Sequence, residues 1–358
     1  MKRNILLNPG PSTTTQSVKN SLIVPDMCHR EQEFKNLMKS IRNDLTKIVA
    51  NNDDYTTILF CGSGSAAMEA TMTSVMSDIR IALILVNGIY GDRFSKMARI
   101  HNIAAIRVAS SYGKSLDLKK LDEMLEKDPF IKAVFVVHHE TTTGILNPIE
   151  EISKIVKKHH RLLVVDAISS FAGIPISSRS CNFDFLISTS NKCLQGMAGV
   201  SFVICKKSEL ENCKYNNRSL YLNMYKQYRY LEDKGEMQFT APVQVMNALR
   251  QAIDEFNKEG AENRFMRYRN NWRLLLNGMK ARNIKRFLTE NERHSNILET
   301  FYLPEGIDFK TFHDKLYEKN IIISPGLVGE NTFRTAIIGD LHEDDIKYFL
   351  KCVDEVIS

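Results

Sequence analysis

Apolar positions along this chain alternate between two textures. Short β-branched and apolar runs at 56–60, 81–86, 133–138, 162–165, 183–188 and 200–205 read as strands. Between them, residues 66–76, 92–101 and 149–159 space their apolar positions as helices do, and Glu150 and Glu151 fall in a first turn, the favourable end for acids. Upstream, Val18, Leu22, Phe34, Leu37, Ile41, Leu45 and Ile48 predict helix over 14–50. Several of the strands lack polar alternation, as strands buried on both faces do. Strands alternating with helices predict an α/β domain whose mostly parallel sheet is covered by helices. From Val243 the texture changes to a long amphipathic helical stretch through Met279. Strands at 297–302, 321–324 and 332–338, with helices over 309–319 and from Asp344, predict a smaller α+β C-terminal domain. The expected division is 16–250 for the large domain and 251–358, joined by the N-terminal segment 1–15, for the small one.

The polar and glycine-rich segments fall after the carboxyl ends of these strands, where open α/β sheets bind ligands. Asp166 closes the run Leu-Leu-Val-Val-Asp166. An acid there is costly unless a cation meets it. A protonated pyridine nitrogen is such a cation, and a carboxylate that keeps it protonated makes the ring an electron sink; a helix cap or an arginine partner is the commoner reading of a lone acid. A helix and a strand later, Lys192 lies in the polar loop Ser188-Thr-Ser190-Asn191-Lys192. A lysine that forms an imine needs a lowered pKa, from desolvation or a neighbouring cation. Asp166 and Lys192, each after a core strand, together outweigh the cap or arginine reading of the one and the solvent-facing reading of the other.

Three further segments add to the picture. Gly62-Ser63-Gly64-Ser65-Ala66 enters a helix; bared backbone N–H groups with serine hydroxyls can form an anion site there, and a plain tight strand–helix turn is the other reading. It matches neither a Walker A loop nor G-x-G-x-x-G. Thr141-Thr142-Thr143-Gly144 offers hydroxyls at another strand end, and Tyr90 in Asn87-Gly-Ile-Tyr-Gly91 offers an aromatic face. Arg334 lies in a strand of the C-terminal part, where a buried guanidinium grips a carboxylate or phosphonate with two parallel bonds, or else forms an internal salt bridge.

Composition excludes more than it assigns. Lys and Arg number 48 against 42 Asp and Glu, and the charges are dispersed, so nothing points to nucleic acid. Seven cysteines without a C-x-x-C pair fit reduced thiols. The N-terminus reaches Pro9-Gly10-Pro11 too early for a signal peptide, and no apolar run approaches the roughly 18 residues of a membrane span. A soluble, cytoplasmic enzyme acting on small molecules is expected, without a metal.

Together these pieces resemble the class V, fold-type I aminotransferases, which use pyridoxal 5′-phosphate (PLP). The resemblance runs nearly end to end, through Leu7-Asn-Pro-Gly-Pro11, Gly62-Ser-Gly64, Asn87-Gly-Ile-Tyr-Gly91, Val165-Asp-Ala-Ile-Ser-Ser-Phe171, Phe239-Thr-Ala-Pro242 and Phe333-Arg334. His139-Glu-Thr-Thr-Thr-Gly144 and Asn191-Lys-Cys-Leu-Gln-Gly196 single out the subgroup that exchanges an amino group between 2-aminoethylphosphonate and pyruvate. The resemblance implies a large domain built on a seven-stranded sheet, a small C-terminal domain, and a homodimer with its active sites at the subunit interface. It implies catalysis by Lys192 and Asp166, with Ser63, Gly64, Ser65 and Ser190 at the cofactor and Tyr90 stacked on its ring. One of Thr141, Thr142 and Thr143 would meet the ring's oxygen side, Thr240 would reach the neighbouring subunit's phosphate, and Arg334, Pro9 and Gly10 would contact substrate.

The chain departs from that subgroup in places. Gly235-Glu236-Met237-Gln238-Phe-Thr240 replaces the usual Gly-Lys-Trp-Arg-Phe-Thr, and Met27-Cys28-His29 replaces Trp-Cys-Thr. After Arg334 the chain reads Thr-Ala-Ile-Ile-Gly339 instead of Ile-Gly-Asn-Ile-Gly. These changes leave the PLP chemistry intact and bear on the amino donor, so an alanine–glyoxylate or serine–pyruvate type transaminase is the alternative reading. A cysteine desulfurase needs a late nucleophilic cysteine, and none lies between Cys213 and Cys352.

Overall fold

The computed structural model describes residues 3–51, 53–76 and 79–357. Its centre is a seven-stranded sheet. The strands in chain order are β1 (Tyr55–Cys61), β2 (Ile81–Val86), β3 (Ala105–Ala109), β4 (Ile131–Val137), β5 (Leu162–Asp166), β6 (Phe185–Thr189) and β7 (Val200–Lys206). Across the sheet they lie in the order β1-β7-β6-β5-β4-β2-β3. β7 alone runs against its neighbours, β1 and β6, while the others are parallel. That reversal follows from connectivity: β6 returns directly as β7 through the Lys192 loop, with no crossover helix to restore a parallel course. The strands β4, β6 and β7 are buried almost throughout, which is why their sequences read as unbroken apolar runs.

Register is what positions the chemistry. Val137 on β4 pairs with Asp166 on β5, and Asp166 pairs with Ile187 on β6. The segment from His138 to Thr143 and the loop carrying Lys192 therefore leave the sheet on either side of Asp166.

Several elements differ from the sequence reading. The helix expected over 14–50 is two, Gln16–Asn20 and Gln32–Val49, parted by a segment containing Pro25, which lacks the N–H a continuing helix requires. The long stretch from Val243 is also two helices, Val243–Glu259 and Ala261–Ala281. Gly260 between them has φ 83° and ψ 145°, a conformation open to glycine and strained for other residues. The strand expected over 321–324 is instead two short pieces in different sheets: Ile321–Ile322 pairs in parallel with Ile5–Leu6, and Ser324–Pro325 pairs with Thr332–Ala336. β3 escaped pattern reading because, as an edge strand, it exposes most of its positions. The helix Leu118–Lys127 was missed despite a legible start, the Asp117 carboxylate accepting from the Lys120 N–H at 2.9 Å.

Among the described residues a small cluster of Val18, Ala248 and Ala252 accompanies two large apolar cores. The larger packs the sheet against residues such as Phe34, Met68, Phe94 and Met246. The smaller gathers Tyr268, Leu275, Phe301, Phe312, Phe333 and Val353 with Ile5 and Leu7 from the N-terminus. From there the chain runs through Pro9-Gly10-Pro11 to the Lys192 loop, where the Ser12 N–H donates to the Asn191 carbonyl at 3.1 Å. Among the described residues no helix is long and apolar enough to cross a membrane.

A Cβ added at Gly260 would meet nothing closer than the Asn263 side chain at 3.8 Å. The cost of Gly260→Ala is thus conformational, and a loss of about 1–3 kcal/mol of unfolding free energy in a denaturant titration is expected, with cofactor binding unchanged.

Candidate active site

Lys192 leaves the end of β6 with its Nζ donating to the Pro9 carbonyl at 2.6 Å. Its own backbone carbonyl accepts from the Ser12 hydroxyl at 3.0 Å. Gly10, at φ +136°, lies so close that an added Cβ would stand 2.2 Å from Nζ. Burial, with the Arg334 and Arg93 charges contributing, lowers the Lys192 pKa to about 8. An amine tuned this way is available as a nucleophile and as a proton carrier near neutral pH.

Asp166 is 2% exposed, and its Oδ1 accepts from the Ile168 N–H at 2.9 Å. Burial raises its carboxyl to about 7, the one backbone hydrogen bond opposing. No cation among the described residues lies within ion-pair distance of it.

At the end of β1 the helix Gly64–Val75 begins, with Ser63 as its N-cap and no side-chain cap bond. Ser63 is exposed and Ser65 half-buried; the Ala66 N–H is taken by the Ser63 carbonyl at 2.8 Å, while the Gly64 and Ser65 N–H groups have no partner among the described residues. Tyr90 sits in the first turn of the helix Ile89–Ile100, not in the loop before it. Its hydroxyl lies against the Arg334 guanidinium.

The three threonines, alike in sequence, are used differently. The Thr142 hydroxyl donates to Glu140 at 2.6 Å and accepts from the Ile89 N–H at 2.9 Å. The Thr143 hydroxyl accepts from the Ile145 N–H at 3.4 Å. Among the described residues the Thr141 hydroxyl has no such bond, and it is the one left for a ligand. Thr141 contributes its carbonyl as well, accepting from Arg334 at 3.0 Å. Arg334, 7% exposed, also donates from Nε to the Pro325 carbonyl at 3.0 Å. It meets no carboxylate among the described residues, which sets aside the internal salt bridge as its role.

Two other expected cofactor contacts have these surroundings. The Ser190 hydroxyl is turned to the carbonyls of Met197 and Val200, which take its single proton. Thr240 is exposed, its carbonyl accepting from the Cys61 thiol at 3.5 Å. Glu236, where the subgroup carries lysine, is paired with Arg30 at 3.0 Å and Lys35 at 2.9 Å.

Sequence reasoning gave no role to Glu140, Arg93 or His139. Glu140, 0% exposed, accepts from the Tyr90, Gly91 and Thr142 N–H groups and so clamps the start of the Tyr90 helix. Arg93 donates to the Ser65 hydroxyl at 2.9 Å and lies 4.6 Å over the Tyr90 ring. It follows Tyr90 by three residues on a helix, the spacing at which side chains meet, and that was the available signal. His139 is buried with both ring nitrogens lacking a partner among the described residues, and burial lowers its pKa to about 3, so the ring is neutral.

These residues fit PLP. The buried carboxyl without a cation suits a ring nitrogen, the lysine amine suits an aldehyde carbon, and the capless helix start suits a phosphate. The Aminotransferase class-V family model matches residues 14–336. The chain belongs to that family, the PLP-dependent aminotransferases of fold type I. It is similar to the alanine–glyoxylate aminotransferase of Nostoc sp. with a TM-score of 0.93 and 26% identity, covering 100% of this chain and 96% of that one. Its similarity to a narrower group is closer in sequence. The 2-aminoethylphosphonate–pyruvate transaminase of Klebsiella pneumoniae subsp. pneumoniae is 38% identical over 99% of this chain and 97% of its own length. The enzyme of that name from Phocaeicola vulgatus is also 38% identical, over 99% of each.

With the Lys192 amine held at about 8, its addition to pyridoxal in the cofactor-free protein should accelerate as pH rises to about 8 and then level off. An ordinary exposed lysine would keep gaining until about 10.4. Stopped-flow rates across pH, with Lys192→Ala as blank, check this; a profile still climbing past pH 9 would contradict the assigned environment.

Proposed function

We propose that this enzyme exchanges an amino group between 2-aminoethylphosphonate and pyruvate, giving phosphonoacetaldehyde and alanine, or runs in reverse to make the phosphonate. The observation that carries this reading is the nearly end-to-end similarity to enzymes of that activity, supported by a buried Arg334 that has no internal carboxylate. Bound PLP supplies an electron sink at the carbon that loses its proton, and carries the amino group from donor to acceptor.

The chain's own residues do the rest. Lys192 holds the cofactor and, once displaced by the donor amine, its Nζ takes the proton from the substrate carbon and returns one. Asp166, ionised when a cation faces it, keeps the ring nitrogen protonated. The N–H groups of Gly64 and Ser65, with the Ser63 and Ser65 hydroxyls, bind the phosphate. Tyr90 covers the ring, and Thr141 meets its oxygen side. Arg334 takes the anionic end of each substrate in turn, with the Pro9-Gly10 turn alongside Lys192 closing the pocket. Thr240, exposed in one chain, serves the phosphate site of a second copy in a homodimer. Seven free thiols suit a reducing cytoplasm.

A second reading, an alanine–glyoxylate type transaminase, is favoured by Glu236 standing where the subgroup has a cation. Adding 2-aminoethylphosphonate to the purified holoenzyme should bleach its visible absorbance, and pyruvate should restore it. A protein that ignores the phosphonate yet responds to alanine and glyoxylate would select the second reading. Asp166→Asn should lower kcat by about 10²- to 10³-fold while the protein still binds PLP. Initial rates near wild type for that variant would remove Asp166 from the mechanism.

A further inference from the structure

We propose that Arg93 is the counter-charge to the cofactor's phosphate, a positioning residue that acts through Ser65 and makes the site select PLP over its unphosphorylated form. The inference rests on the reading of the Gly62–Ala66 turn as the phosphate site.

Arg93 is half-buried in the helix Ile89–Ile100. The adjacent acid is not its partner: Asp92 is taken by Arg107 and by the Tyr112 hydroxyl, the latter at 2.7 Å. No carboxylate among the described residues lies within ion-pair distance of the Arg93 guanidinium. Its contacts are the Ser65 hydroxyl at 2.9 Å and the Tyr90 ring at 4.6 Å. Most of the five guanidinium N–H donors are thereby left free.

Its neighbour Ser65 is the second residue of the helix Gly64–Val75, whose capless N-terminus already concentrates positive potential. A guanidinium beside such a terminus, with no acid between, repels it unless an anion joins the two. The hydrogen bond also has a direction that matters. Ser65 accepts from Arg93, so its own hydroxyl proton stays free to donate to that anion, and donation in sequence strengthens each bond. On the ring side, Arg93 covers a Tyr90 face while Arg334 lies at the Tyr90 hydroxyl. Tyr90 thus stands between two guanidinium groups, one on the phosphate side and one on the substrate side.

The test compares PLP with pyridoxal, which differs only in the phosphate, as ligands of the cofactor-free protein. In wild type, PLP should bind far more tightly than pyridoxal. Arg93→Gln should weaken PLP by roughly 10- to 100-fold and leave pyridoxal unchanged, and Arg93→Lys should fall between. Equal weakening of both ligands would reduce Arg93 to a prop for Tyr90 and overturn the proposal, as would unaltered PLP affinity. A wild-type protein that binds both ligands alike would instead sink the phosphate-site reading itself. Should Arg93→Gln fail to fold, Arg93→Met, which keeps an unbranched stem without the charge, carries the same test; unchanged selectivity in that variant overturns the proposal.

Discussion

A carboxyl group buried at the end of a central strand, with no cation beside it among the described residues, is the constraint around which this molecule is arranged. Asp166 sits in register between Val137 and Ile187, so its position is set by the hydrogen-bond ladder of three buried strands and not by a loop. Burial at that point raises its carboxyl to about 7. The sheet holds a charge site that only a ligand completes, and the neighbouring strand ends bring a lysine amine, a helix N-terminus and an aromatic ring toward it.

Glu140 shows what a buried acid looks like when the fold itself has settled it. It is at least as buried as Asp166 and only one strand away, yet backbone N–H groups and a threonine hydroxyl fill its oxygens. Burial raises its pKa and those bonds pull it back. Hydrogen bonds to the ionised form compensate desolvation, and a carboxylate supplied with that many has little left to offer a ligand. Glu140 therefore braces: by clamping the start of the Tyr90 helix it fixes the ring over the site. Two acids in similar burial differ in the count of their donors, and Asp166 is the one with capacity left for a ligand.

That division was invisible in the sequence, whereas the site's outline was legible. Asp166 and Lys192 could be found because apolar runs announce buried strands, and polar residues at their ends then stand out. The three threonines could not be separated, since their difference lies in which hydroxyls the turn itself consumes: Thr142 and Thr143 are spent locally, and Thr141 is not. Ser190, taken as a cofactor contact, is held by two carbonyls for the same reason. Glu236 read as a lost cation, but Arg30 and Lys35, two hundred residues earlier in the chain, neutralise it. Pattern fails here because these partners meet through tertiary structure, and periodicity reports only local neighbours. The broken helices have a simpler cause: apolar spacing continues across Gly260, and only backbone conformation reveals the stop.

The contact between Lys192 and Pro9 shows how a buried amine can be aimed without being fixed in its charged form. A lysine that must leave its resting place and return needs a partner that orients it without fixing its charge. A carboxylate would favour the ammonium form, raise the pKa and hold the side chain in a charge-assisted bond. A carbonyl oxygen accepts a hydrogen bond from the neutral amine as readily as geometry allows, and so aims Nζ while burial keeps its pKa near about 8. The N-terminal segment supplies that carbonyl from a chain that has just left the smaller core, and Gly10 provides the clearance without which the turn would strike the amine. The lysine's surroundings are therefore set partly by a residue 183 positions away, and the smaller core, which anchors Ile5 and Leu7, holds that turn in place.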